Sequence, residues 1–318
     1  RSLVGSEMCI RDSENNDEMN PLTRYSDEYV SIKVPDAQNP GKMKVWTPHN
    51  ANGYCTGANM PLKSAFAQSI NTIAVKVGQD TGIDNVVKVA HAMGVKSKLD
   101  STPALALGAS DVNLLELVNS YCTVMNDGMY RMPILVTKVI DRNGEVIYDC
   151  EKDVPQAQQA IKYKTAFYMQ RMLYAGMHEP GGTTMALWEY IHSYDTEMGG
   201  KTGTSSNHSD AWFVGCSPLL VGGAWVGGEY RCIHFRTGAL GQATRTALPI
   251  FGYFMDRVLA DPNFKHYHAK YPEAKEDIPR NTYIGSGVYI PHNPADSTAA
   301  ETSGDEEGGE QAIKADSI

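Results

Sequence analysis

The sequence predicts an α+β fold in which helices and an antiparallel sheet form packed layers. Three observations lead there. Apolar residues recur at helical spacing through much of residues 62–177, three short glycine-rich apolar segments follow between 199 and 229, and a last helical pattern closes the ordered part at 247–260. The chain of 318 residues, 42% hydrophobic and 20% charged, is long enough to bury a core of that kind.

Each element has its own signal. Residues 46–60 are rich in turn formers, and Pro61 sits where a first helical turn tolerates proline. Leu62, Ala65, Phe66 and Ser69 follow at helical spacing and give one buried face. Ser69-Ile70-Asn71 interrupts the pattern. A second short helix then runs to Gly82, so the tripeptide falls at a helix–helix junction. Asp84 to Met93 reads as another helix stopped by Gly94. Ser110 or Asp111 is expected to cap a longer helix carrying Leu114, Leu115, Val118, Tyr121, Cys122 and Met125, ended by Gly128. Residues 134–149 form a hairpin around Asn143-Gly144, and Lys162 to Met177 form a helix. GGKTGTSS, DAWFVGCSP and LLVGGAWVGGE, separated by Asn207–Asp210 and a Ser217-Pro218 turn, are the strands of an antiparallel meander.

Composition excludes several classes. A net charge of −9 argues against a nucleic-acid binder, and more than half of it lies beyond residue 300, where six acids face one lysine. The body is close to balanced. No apolar run approaches the roughly 20 residues a membrane helix needs, and neither a signal peptide nor an initiator Met is present. None of the six cysteines forms a Cys-x-x-Cys pair. His266-x-His268 has no third ligand nearby, so no metal or other cofactor is expected. RSLVGSEMCIRDS, residues 1–13, resembles translated sequencing-adapter read-through and is set aside. The protein is accordingly expected to extend upstream of Glu14. Residues 291–318 are too poor in large apolar groups to fold.

The segment EMGGKTGTSSNHSDAWFVG admits two readings. A phosphate loop needs a glycine five residues before Gly200 and a helix after Lys201. Position 195 is Asp195, and a strand follows. The alternative is a sheet-edge strand on which Thr202 and Thr204 share one face and Lys201 and Gly203 the other. An extended peptide can pair with such an edge, glycine removes bulk there, and the lysine supplies positive potential to a developing oxyanion. Ser69-x-Asn71 preceding Lys201-Thr202-Gly203-Thr204 is the order of the second and third signatures of the penicillin-recognising serine enzymes.

WTPHNANGYCTGANMPLKSAFAQSINTIAVKV, ALALGASDVNLLELVNSYCTVMNDG and GGKTGTSSNHSDAWFVGCSP…GGAWVGGE widen the match. From about Trp46 to Leu259 the chain resembles the transpeptidase domain of bifunctional (class A) penicillin-binding proteins. Its fold, shared with serine β-lactamases, packs an antiparallel sheet between helices. The resemblance implies a division into an upstream remnant (14–45), the C-terminal part of the transpeptidase domain (46–261), an extension (262–290) and an acidic tail (291–318). It implies peptidoglycan stem peptides and β-lactams as partners, no nucleic acid, and work at the outer face of the cytoplasmic membrane or in the periplasm. Ser69 would relay a proton and Lys201 would tune it electrostatically. Asn71 would hydrogen-bond the substrate backbone, Thr202 and Thr204 would hold a terminal carboxylate beside Gly203, and the Thr204 N–H would supply half the oxyanion hole.

The family's first signature, Ser-x-x-Lys, is missing: no serine of the 318 residues has a lysine three positions on. The nucleophile, a glycosyltransferase region and a membrane anchor are all expected upstream. Two other readings stand beside the transpeptidase. One is a non-catalytic module that keeps the peptide groove. The other is a serine β-lactamase, for which no deacylating base stands out.

Overall fold

The computed structural model describes residues 19–284 apart from positions 37, 194 and 276. The expected read-through segment and the acidic tail lie outside the described residues. No helix among those described is long and apolar enough to cross a membrane.

The chain enters through strand β1 (Arg24–Ser26), then a hairpin of β2 (Ile32–Pro35) and β3 (Met43–Trp46), and reaches β4 (Asn59–Pro61), which pairs antiparallel with β1. That pairing joins residues on both sides of position 46. Between them, Asp27 is fully buried and accepts hydrogen bonds from Thr72 Oγ1 (2.6 Å), Asn50 Nδ2 (2.8 Å) and both the N–H and hydroxyl of Thr56 (2.8 Å each).

Helix α1 (Leu62–Gln68) starts directly after Pro61, which is the N-cap rather than the first helical residue. Six of its seven residues are buried, where the apolar spacing predicts a single buried face. Lys63 is tolerated there because its ammonium meets Glu179 at 2.9 Å. Helices α2 (Asn71–Thr81) and α3 (Ile83–Ala92) follow, then a 3-10 turn at Pro103–Leu107. Helix α4 (Leu114–Met125) is capped by Asn113, whose side chain accepts from the Leu115 N–H at 2.8 Å. The two residues expected to cap it are engaged elsewhere: Ser110 accepts from the Asp100 N–H and Asp111 pairs with Arg231.

Strands β5 (Met129–Tyr130) and β8 (Gln158–Gln159) pair, and β6 (Lys138–Ile140) and β7 (Val146–Asp149) form the expected hairpin. Helix α5 (Tyr163–His178) leads by a 3-10 segment (Thr183–Glu189) to the main sheet. Its strands β9 (Gly199–Thr204), β10 (Asp210–Cys216) and β11 (Val221–Gly227) run antiparallel in the order β11-β10-β9, so β9 is an edge among the described residues. Helix α6 (Ala247–Ala260) closes the domain.

The sheet's two faces are separated by parity. Residues 199, 201, 203, 212, 214 and 223 face α4 and α5: a Cβ on Gly199 would lie 2.5 Å from the Leu173 carbonyl, and one on Gly223 2.5 Å from Val118. Residues 200, 202, 211, 213 and 215 face α6, with the Phe213 and Phe251 rings 5.3 Å apart. Each face holds its own apolar cluster. Residues beyond α6 fold back as well. Tyr271 and Tyr283 are buried, and Tyr283 packs edge-on to Phe167 at 5.0 Å.

Glycine at 199 is therefore a steric requirement for the contact between α5 and β9. Gly199→Ala should cost about 3 kcal/mol, read as a fall in the urea midpoint. Gly144→Ala should cost only about 1 kcal/mol, because that position has φ +85° and open space around it.

Candidate active site

The junction Ser69-Ile70-Asn71 is built by the way α1 ends. The Ser69 N–H donates to the Phe66 carbonyl (3.1 Å) and the Ile70 N–H to the Ala65 carbonyl (3.0 Å), a reverse-bonded helix end. This turn puts Ser69 in the left-handed region at φ 58°, ψ 47°. Glycine is the usual occupant, and a side chain there costs about 1–2 kcal/mol. A strained serine where glycine would be easier points to use of its hydroxyl.

That hydroxyl meets the other motif. Lys201 Nζ donates to Ser69 Oγ at 2.9 Å and to the Thr202 carbonyl at 3.0 Å, and lies 5.8 Å from the Phe66 ring centroid. The two residues are 132 positions apart in sequence. Lys201 is 4% exposed and forms no ion pair among the described residues. Burial lowers its pKa from the ordinary 10.5 to about 8.

Thr202 and Thr204 take the opposite face. The Thr202 hydroxyl is 2.8 Å from that of Thr183, and Thr204 Oγ1 accepts from the Ala243 N–H at 3.1 Å. Gly203 is buried on the lysine's face. Asn71 lies beside Ser69, and one of its amide hydrogens goes to the His49 carbonyl (2.7 Å). The neighbouring Asn50 accepts from the Thr72 N–H and donates to Asp27. The 47–58 loop is thus tied to the serine junction by two adjacent residues. Its tie through His49 and Asn50 leaves no signature at motif spacing, and neither does Thr183.

A cavity of about 820 Å³ is lined by Trp212, Trp225, Asp111 and Arg231 among others and by none of the six motif residues. The buried lysine and the strained serine make this the candidate site instead, because each has a cost in folding that a reactive role would explain.

A family model described as the penicillin binding protein transpeptidase domain matches residues 27–219. Penicillin-binding protein 1A of Clostridium novyi (strain NT) is 33% identical over 221 residues, covering 67% of this chain and 24% of that protein. Penicillin-binding protein 1A of Aquifex aeolicus (strain VF5) is 33% identical over 217 residues, covering 68% and 28%. The chain spans about a quarter of the length of these relatives. Among solved structures, penicillin-binding protein 1A from Haemophilus influenzae superposes with a TM-score of 0.68 at 24% identity, over 91% of this chain and 45% of that one. PonA1 from Mycobacterium tuberculosis in complex with penicillin V gives 0.65 at 19%, over 92% and 74%. The chain belongs to the penicillin-binding protein transpeptidase domain family, in its class A branch.

Two outcomes test the electrostatics. Between pH 8 and 10.5 the folded chain binds fewer protons at Lys201 than the unfolded chain, so stability should rise with pH across that window. Lys201→Met should abolish that rise and stabilise the protein at pH 7 by about 1–3 kcal/mol in urea unfolding. At Asp27, burial raises the pKa but four hydrogen bonds together outweigh it and leave the carboxyl below its ordinary value. Its stabilisation is present above the unfolded pKa of about 3.9 and is lost as pH falls through the folded one. Asp27→Asn should flatten that acid-side loss and lower stability at pH 7.

Proposed function

We propose that this chain carries the peptide groove of a peptidoglycan D,D-transpeptidase of the serine acyl-enzyme type. The observation that carries the reading is the hydrogen bond from Lys201 Nζ to Ser69 Oγ, which unites two motifs far apart in sequence. In the reaction, a serine oxygen attacks the penultimate D-Ala carbonyl of a stem peptide. The new C–O bond replaces the C–N bond to the terminal D-Ala, which leaves as an amine carrying the serine's proton. An amine of a second stem then attacks the ester, forming the cross-link and returning a proton to the serine. β-Lactams present the same carbonyl and stop at the ester.

Each residue has a physical part. Ser69 lies within hydrogen-bond reach of a buried ammonium, so it is suited to pass a proton between nucleophile and leaving amine. Lys201 contributes positive potential in a water-poor setting. Along β9 the Gly200 carbonyl accepts from Thr184 and the Thr202 carbonyl from Lys201, which supports an outward edge at alternate residues. The two-residue period puts the Thr204 N–H on that edge, where an oxyanion would sit. Thr202 and Thr204 offer hydroxyls to the terminal carboxylate, and Asn71 an amide to the peptide backbone. Such substrates lie outside the cytoplasmic membrane, and the protein's work is placed there with them.

One observation favours a second reading, a module that binds the peptide without reacting: no Ser-x-x-Lys occurs in the 318 residues. Both readings agree that this chain by itself does not acylate. Incubated with a fluorescent penicillin and run on a denaturing gel, it should show no covalent band. A band would overturn the reading.

A further inference from the structure

Two consecutive threonines outside both motifs grip the edge strand. Thr184 Oγ1 donates to the Gly200 carbonyl at 3.1 Å, and the Thr183 hydroxyl lies 2.8 Å from that of Thr202. Their segment is held firmly. A Cβ on Gly182 would fall 2.3 Å from the Gly176 carbonyl oxygen, so glycine there lets the two backbones close. Just upstream, Glu179 is fixed by Lys63 (2.9 Å) and Ser64 (3.1 Å). A side chain on such a support keeps one placement instead of sampling several.

A hydroxyl has one proton and two acceptor positions, whereas a carboxylate only accepts. In the Thr183–Thr202 pair either oxygen can donate. Once a carboxylate sits against Thr202, the Thr202 proton must go to it, and the pair's own bond survives only if Thr183 becomes the donor. Thr204 is arranged similarly. The Ala243 N–H can only donate, so the Thr204 proton is turned away from it. Thr204 thus has a donor behind it and Thr202 has a neighbour able to become one, an arrangement that favours an acceptor-only ligand group.

We infer that Thr183 is a positioning residue for carboxylate recognition, donating to Thr202 so that Thr202 can donate to the C-terminal carboxylate of a bound peptide. The inference rests on the peptide-groove reading of β9. Its chemical consequence is discrimination: a peptide ending in a carboxylate benefits from the relay, and the same peptide ending in a carboxamide does not.

The test uses the whole chain and NMR titration with two probes, an N-acetylated peptide ending in D-Ala-D-Ala and its C-terminal amide. Thr183→Val should weaken binding of the carboxylate peptide about five-fold and leave the amide peptide unchanged. Thr183→Ser should stay within about two-fold of the parent for both. Thr183→Ala supplies the same comparison should valine disturb folding. Equal losses for both peptides, or no loss for either, would overturn the role of Thr183 while leaving the groove in place. Failure of the unsubstituted chain to bind either peptide would overturn the groove reading and this inference with it.

Discussion

An ammonium group taken out of water needs compensation, and among the described residues Lys201 has two oxygen acceptors and the face of a ring. The rest of the architecture follows from keeping it there. Its strand must lie flat against α5, which demands glycine at 199. Helix α1 must stop abruptly enough to aim a hydroxyl at the ammonium, which puts Ser69 in the left-handed region. Phe66, one turn earlier on the same helix, closes the other side of the lysine and keeps water away.

The contrast with the other buried charges is informative. Lys63 has the Glu179 carboxylate, and Asp27 has four donors from three residues. Both are tied off, and both act as fasteners: one holds the loop before Thr183 to α1, the other holds the 47–58 loop to the residues after Ser69. Lys201 sits between these two fastened regions with its proton affinity lowered. Paired charges make the frame rigid, and the frame makes the poorly compensated charge sustainable.

The same logic organises the sheet. Strand β9 divides its side chains between two compartments, with lysine and glycine toward the helical core and the threonines toward α6 and the 3-10 segment. A peptide pairing with this edge, as proposed, would draw on both. The strand's charge lies on one side and its hydroxyls on the other.

Much of this was legible in the residues. Helical spacing located α1 to α5, Asn143-Gly144 located the hairpin, and alternation on Lys201–Thr204 assigned the strand's two faces correctly because side-chain period is a local property of the backbone. The order of Ser-x-Asn and Lys-Thr-Gly-Thr selected the family because short motifs gain meaning jointly. Local rules failed where partners are distant. Asn113 caps α4 because the helix starts at Leu114, while Asp111, two residues further out, pairs with Arg231, a residue 120 positions away. Residues 262–284 look polar, yet isolated aromatics such as Tyr271 and Tyr283 anchor them to α5, and single anchors have no period to detect. By itself, then, the sequence determined the main helices, the 134–149 hairpin, the three strands of the main sheet with the two faces of β9, and the two motifs. Only the tertiary structure decided that Lys201 is buried against Ser69 and that Thr183 backs Thr202, because burial and hydrogen bonding depend on which surfaces meet, and sequence spacing does not encode that.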